Sequence, residues 1–345
     1  MVKCLKRILL SAITVVLLIL VGNPAFANEN IIDTKTDDEY TLGELQEVLV
    51  AYMDLQELDI EIGSNEYNDY IIEQLIYGTD EKLKQHPQYS LLHAYMAEYK
   101  IANENKAFEQ SSNLKKTGLR DDLYDSFYME DTFCNKTIGQ IKAENELYDA
   151  EISQAATSEK TDAILAARAS YSGSAAASYA RQYAVSYNSN YPNYSLSGGD
   201  CTNFVSQCIY AGGIRMIGTT TSPGTYESTS NWYCKPIEVW HGNSSSIEYG
   251  VTTSWMRARD LKSFLWGTLG KSTATIYSAS NLVSNCKVGD VVQLVSLETG
   301  NTYHSIIITT KTSSTAKFCG HSSNSLDKDV SQIDWTANKV MRYSM

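Results

Sequence analysis

The chain has 345 residues, 43% of them hydrophobic, with 28 Lys and Arg against 40 Asp and Glu. Such a length holds one large or two medium domains, and 24 Tyr with 5 Trp supply a real core, which excludes wholesale disorder. A net charge of −12 excludes a general nucleic-acid binder, and the one apolar run near spanning length is N-terminal, which excludes a multi-pass membrane protein.

That run reads as a secretory signal. Lys3, Lys6 and Arg7 precede an apolar stretch from Ile8 to Val21, and Pro24-Ala25-Phe26-Ala27 offers small residues for cleavage after Ala27. The expected product is exported, to the cell wall or beyond, with no stable membrane insertion once the signal is removed. Charge divides the rest of the chain. Residues 28–165 carry 11 basic and 30 acidic groups, whereas residues 166–345 carry 14 and 10. Three parts are expected: a signal peptide (1–27), an acidic, mostly helical N-terminal domain (28–165) and a C-terminal domain (166–345). A mildly basic C-terminal unit tolerates an anionic polymer such as a bacterial wall.

Helical spacing dominates from Tyr40 to Ala107. Leu42, Leu45, Leu49 and Met53 recur every three to four residues, as do Tyr70, Ile71, Leu75 and Ile76, then Leu91, Leu92, Tyr95, Met96 and Tyr99. Gly78-Thr79-Asp80 and His86-Pro87 punctuate these segments, with Asp80 as an N-cap. Thr137 to Ile152 fits a long helix or two strands. After Ala166, Ser, Gly, Tyr, Asn and Thr become dense and all five Trp appear. Helices are predicted over Tyr171–Tyr187, Cys201–Gly213 and Leu261–Leu269. The period then changes to strands at Val288–Leu294, Tyr303–Thr310, Ala316–Gly320 and Lys339–Tyr343. Helices followed by antiparallel strands make an α+β class.

Chemistry concentrates in Gly198-Gly199-Asp200-Cys201-Thr202-Asn203-Phe204-Val205-Ser206-Gln207. Two glycines free the chain just before a helix, Asp200 is a predicted N-cap, and Cys201 falls in the first turn. Free N–H groups and the positive end of the dipole favour a thiolate there and offer half of an oxyanion hole. The Asp200 carboxylate works against the thiolate, so a positive partner is needed. His304, opening an apolar strand, is the candidate base, and its structural alternative is a sheet-edge histidine. A turn centred between Ser313 and Ser314 would pair His304 with Ser323 and make His321 a diagonal neighbour able to orient the His304 ring. A register slip of one would turn His321 to the other face, and a different loop setting would bring Asn324 opposite His304 instead.

These residues carry a resemblance. Gly199-Asp200-Cys201-Thr202-Asn203-Phe204-Val205-Ser206-Gln207, the Gly289-Asp290-Val291-Val292 piece and Tyr303-His304-Ser305 resemble the bacterial putative amidase domain family, related to the NlpC-like and CHAP cysteine hydrolases of cell walls. The resemblance covers about residues 166–344. It implies a papain-like domain with the nucleophile at a helix N-terminus packed on an antiparallel sheet. By resemblance Cys201 is the nucleophile, His304 the base, and the third polar residue, His321 or Asn324, comes from the next strand. The expected activity is hydrolysis of an amide bond, in peptidoglycan or a peptide, through a thioester; the alternative is an inactive wall-binding module on the same fold.

The remaining candidates are weaker. Cys208 reads as core and Cys319 as the runner-up reactive thiol. Trp232, Trp240 and Trp255 either wall a cleft or pack inside, and His241 reads as a surface residue. His86 and His93 lack partners at metal-ligand spacing, and no cofactor motif appears.

Overall fold

The computed structural model describes residues 35–111, 132–158, 171–195 and 199–345. The signal segment, Gly198 and the expected boundary at residues 165 and 166 lie outside them.

The first long helix begins where Thr41 and Glu44 form a reciprocal capping box, so α1 (Leu42–Leu55) has its first amides satisfied. Leu42, Leu45, Leu49 and Met53 are buried along it, as their spacing predicts. Helix α2 (Asn65–Tyr77) stops at Gly78 in the left-handed conformation, and Asp80 caps the short helical turn beyond it. Helix α3 (Tyr89–Ser111) is buried at every position from 91 to 100, including Leu92, Tyr95, Met96, Tyr99, His93, Glu98 and Lys100. The ambiguous Thr137 segment is a helix, α4 (Ile138–Thr157), opened by a Thr137–Gln140 capping box. Among the described residues no helix is long and apolar enough to cross a membrane.

Helices α5 (Gly173–Tyr183) and α6 (Cys201–Ala211) precede the strands. β1 (Gly224–Tyr226), β2 (Cys234–His241) and β3 (Ser244–Thr252) form a small sheet that the sequence pattern does not announce. The main sheet is antiparallel throughout, in the order β4-β9-β5-β6-β7-β8: β4 (Thr273–Ile276), β9 (Asn338–Tyr343), β5 (Val291–Ser296), β6 (Thr302–Lys311), β7 (Ala316–Gly320) and β8 (Ser325–Asp329). The predicted helix at Leu261–Leu269 is instead a helical turn at Ala258–Lys262 running into a π-helical turn at Ser263–Thr268.

Both faces of the main sheet are covered, which is why β5 and most of β6 are buried at every position. Val292, Leu294, Ile306, Ile308, Phe318 and Val340 share one core with the apolar stripes of α1, α2 and α3. Val291, Ile307, Cys319 and Tyr343 face Phe204, Val205, Cys208 and Ile209 of α6, with Trp232 and Trp255. Each such side chain contributes roughly 1.5–3 kcal/mol on burial. The architecture is α+β, with helices on both sides of an antiparallel sheet, and the N-terminal helices are continuous with the sheet's own core.

Candidate active site

Cys201 is the first residue of α6 and is 1% exposed. Asp200 occupies the N-cap position, but its side chain makes no bond to the first-turn amides. It turns away, accepting from Tyr194 N at 2.9 Å, Asn203 Nδ2 at 2.8 Å and His321 Nδ1 at 2.6 Å. This corrects the expected cap. The carboxylate is committed elsewhere and takes none of the first-turn amides of α6.

The helix is pinned from three sides. Trp255 Nε1 donates to Asn203 Oδ1 at 2.8 Å and Trp232 Nε1 to Ser206 Oγ at 3.1 Å. The two indoles pack at 4.6 Å inside the core, whereas Trp240 is exposed on β2, so the three do not wall a common cleft. Thr202 Oγ1 shares a hydrogen bond with Ser305 Oγ at 3.0 Å, and Gln293 Nε2 donates to the same Ser305 oxygen. The residue after Cys201 is thereby bonded to the residue after His304.

His304 lies on β6 just beyond a bulge. Leu294 pairs with His304 and Val295 with Thr302, which leaves Tyr303 as the extra residue. Bulges of this kind re-aim neighbouring side chains and are common beside active sites. The His304 ring is fully buried and neither nitrogen has a hydrogen-bond partner among the described residues. Burial, and next the charge of Lys100, pull the ring down to about 3, with Glu104 opposing. It is a neutral imidazole with free lone-pair capacity. A Cβ at Gly320 would stand 3.0 Å from Ile306 Cγ2 and 3.7 Å from His304 Nε2, so that glycine lies beside the ring.

His321 is not brought to His304. The β6–β7 turn forms where the sequence puts it, with Lys311 opposite Ala316 and Thr310 opposite Lys317. A bulge at Thr309 then slips the ladder by one, so that Ile308 pairs with Phe318 and Ile307 with Cys319. The Thr309 hydroxyl is shared between Lys317 O and Asp327 Oδ1 at this bulge. Beyond it, His321 belongs to the face of α6, where it stacks on Phe204 with ring centroids 4.1 Å apart. Its Nε2 bonds Tyr183 O at 2.8 Å while Nδ1 is on Asp200. Asn324 is exposed in the tight β7–β8 turn with positive φ and does not lie opposite His304 either.

Two residues of α3 enter this neighbourhood unannounced. Lys100 Nζ donates to Tyr303 O at 2.8 Å and is hydrogen-bonded to Glu104. Burial works against the Lys100 charge, but Glu104 and Cys201 outweigh it and hold the ammonium above its ordinary range. Burial pushes the Glu104 carboxyl up to about 7; Lys100 and His304 oppose the rise and Cys201 adds to it. Cys201 and His304 therefore stand within electrostatic reach of one carboxylate.

The other thiols belong to the interior. Burial raises Cys208, Cys234, Cys286 and Cys319, and Cys319 Sγ accepts from Asp327 N at 3.4 Å. His86 accepts from Gln88 N at 3.1 Å, and His241 on the exposed hairpin meets Ser246 Oγ at 3.0 Å. His93 is buried with Nε2 on Leu75 O at 3.3 Å. Among the described residues no group of three His, Cys, Asp or Glu is placed to hold a metal ion.

The family model described as "Putative amidase domain" matches residues 170–344, just over half of the chain and all of the segment from α5 to β9. No curated protein and no solved structure matches the chain. The match reaches both Cys201 and His304 and supports a hydrolase-like enzyme acting on amides. On that match, the chain belongs to the putative amidase domain family.

Proposed function

We propose that this protein is a secreted cysteine hydrolase that cleaves an amide bond of cell-wall peptidoglycan, with Cys201 as nucleophile and His304 as general base and acid. The observation that carries the reading is that a first-turn cysteine, whose N-cap carboxylate is turned off the helix amides, and a neutral histidine with no hydrogen-bond partner at either ring nitrogen both act on the one carboxylate of Glu104. A buried polar atom left without a partner costs about 1–3 kcal/mol, and such groups call for a functional account.

In the reaction His304 takes the Sγ proton and the thiolate attacks the carbonyl carbon. First-turn N–H groups receive the oxyanion, and the protonated ring then delivers its proton to the departing amine. Water hydrolyses the thioester with His304 again as base, which releases the acid and restores the thiol. A substrate reaches Sγ only as the side chains that cover it move aside. The nucleophile helix against an antiparallel sheet that carries the base supports a papain-like assignment related to the NlpC-like and CHAP hydrolases. The N-terminal signal pattern and the mildly basic C-terminal half support a wall polymer as substrate.

The test is release of soluble fragments from purified cell walls, with mass spectrometry naming the bond. Cys201→Ala is expected to abolish release. Undiminished release would overturn the mechanism, and wall binding without release by the wild type would make the protein a binding module.

A further inference from the structure

The family match begins at residue 170, yet the centre it contains is completed by a helix far upstream. Lys100 and Glu104 stand one turn apart on α3, with side chains 3% and 12% exposed. Lys100 holds the backbone of Tyr303, the residue before His304. Glu104 lies against the other partner: a Cβ at Gly199 would sit 2.5 Å from Glu104 Oε1, and Gly199 is two residues before Cys201. Gly199 has φ +149, and its missing side chain is what admits the carboxylate. One ion pair thus spans from the loop that delivers the nucleophile to the strand that delivers the base.

Helix α3 is not a removable cover. Its Leu92, Tyr95 and Met96 belong to the same core as Ile306 and Phe318. Asn301 Nδ2 donates to Glu98 Oε1 at 2.8 Å, Ser90 Oγ to Glu298 Oε2 at 2.8 Å, and the His93 ring packs on Tyr303 at 6.0 Å. The pair is held in place by the sheet.

The geometry points to Lys100 and Glu104 as positioning residues of the hydrolase centre: Lys100 supplies the positive charge that favours the thiolate of Cys201 and ties down the His304 strand, and Glu104 is its counterion. This deepens the cysteine-hydrolase reading and rests on it. The charged and titratable groups around Cys201 are Lys100 and Glu104 from α3, His304 from β6, and the mutually paired Asp200 and His321. His304 is held neutral and Asp200 and His321 are bonded to each other, which leaves the Lys100–Glu104 pair as the remaining charged groups that act on Cys201.

The readout is the pH at which the thiolate absorbance of Cys201 is half developed, taken as the difference between each protein and its Cys201→Ser counterpart. Lys100→Met is expected to move that midpoint up by about one in pH or more, because an opposite charge that acts on Cys201 is lost. Glu104→Gln is expected to move it down, because Lys100 is no longer offset, and Lys100→Arg is expected to hold it near the wild-type position. A merely structural role would move the midpoint in neither variant or in the same direction in both, and either result overturns the proposal. If Lys100→Met does not fold, Glu104→Gln and Lys100→Arg carry the same test. Cleavage that survives Cys201→Ala would remove the hydrolase reading and leave the absorbance shifts in place; absent shifts with Cys201-dependent cleavage would remove only the role of Lys100 and Glu104.

Discussion

His321 Nδ1 meets Asp200 Oδ2 at 2.6 Å in a position closed to solvent, directly ahead of Cys201, which opens α6. Its other nitrogen meets Tyr183 O at 2.8 Å, so both ring nitrogens are engaged and the Asp200 carboxylate is held off the amides of the helix that follows.

Breaking this pair exposes an uncompensated charge in the interior. His321→Phe keeps the stack on Phe204 but strands Asp200 and Tyr183 O, and a cost of about 3–5 kcal/mol is expected in a denaturant titration. Adding Asp200→Asn should restore part of that loss, because the two residues share one interaction. A cost under about 1 kcal/mol for His321→Phe would mean that the ring serves only as packing.

Stability should fall with acid in a way that separates His304 from Glu104. Burial pulls His304 down to about 3 and His93 to about 4, so their contribution is complete above the ordinary histidine range and is lost as pH falls through 6.5 toward those values. Glu104 has the opposite sign. Its carboxyl is raised to about 7, so the contribution is full below 4.5 and is lost as pH rises to 7. Glu98 is raised by burial and behaves as Glu104 does; His86 is lowered by burial and behaves as the other two histidines do. Relative to wild type, His304→Gln should flatten the acid loss between pH 6.5 and 4.5, and Glu104→Gln should steepen it. Each change is at most about 1.4 kcal/mol per pH step of one. Parallel curves for all three proteins would contradict both buried assignments.

The parts of this centre that were legible in the sequence are the ones fixed by local rules. Apolar spacing marked α1 and α2, and the turn at residues 313 and 314 appeared where expected because Thr312 to Thr315 is a short polar run between two strands, closed by Thr312 N donating to Thr315 O at 2.8 Å. The bulge at Thr309 was not legible, since it depends on a hydroxyl reaching Lys317 O and an aspartate on a third strand. That single extra residue is why His321 pairs with Asp200 instead of His304. Lys100 and Glu104 drew no reading from the sequence, because a Lys and a Glu one helical turn apart are what a solvated helix face carries. The signal that they are not was the composition of the first half of α3: Tyr89, Leu91, Leu92, Ala94, Tyr95, Met96, Ala97 and Tyr99 put apolar groups on every side of it, and residues 91–100 are all buried. The β2–β3 hairpin was hidden by Pro236 and the serines at 244–246, which break the alternation expected of strands.

The Gly-Asp-Val-Val piece owes its glycine to a close approach of two backbones. A Cβ on Gly289, where φ is +89, would lie 2.2 Å from Gly173 Cα, and a Cβ on Gly173 would lie 2.1 Å from Val288 O. Both obstacles are main chain, so no rotamer change relieves them. Their contact seats the start of α5 on the turn that leads into β5, where Tyr171 Oη also donates to Gly289 O at 2.6 Å. Gly289→Ala and Gly173→Ala should each cost about 3 kcal/mol or more, Gly289 carrying backbone strain in addition. The double variant should cost less than the sum, because one separation of the two segments relieves both clashes. Gly267→Ala is the comparison: its nearest neighbours would be 3.5 Å away, an ordinary distance, and its cost should stay within about 1 kcal/mol. Denaturant midpoints measured side by side decide the matter, and a Gly289→Ala protein as stable as Gly267→Ala would show that α5 does not depend on this approach.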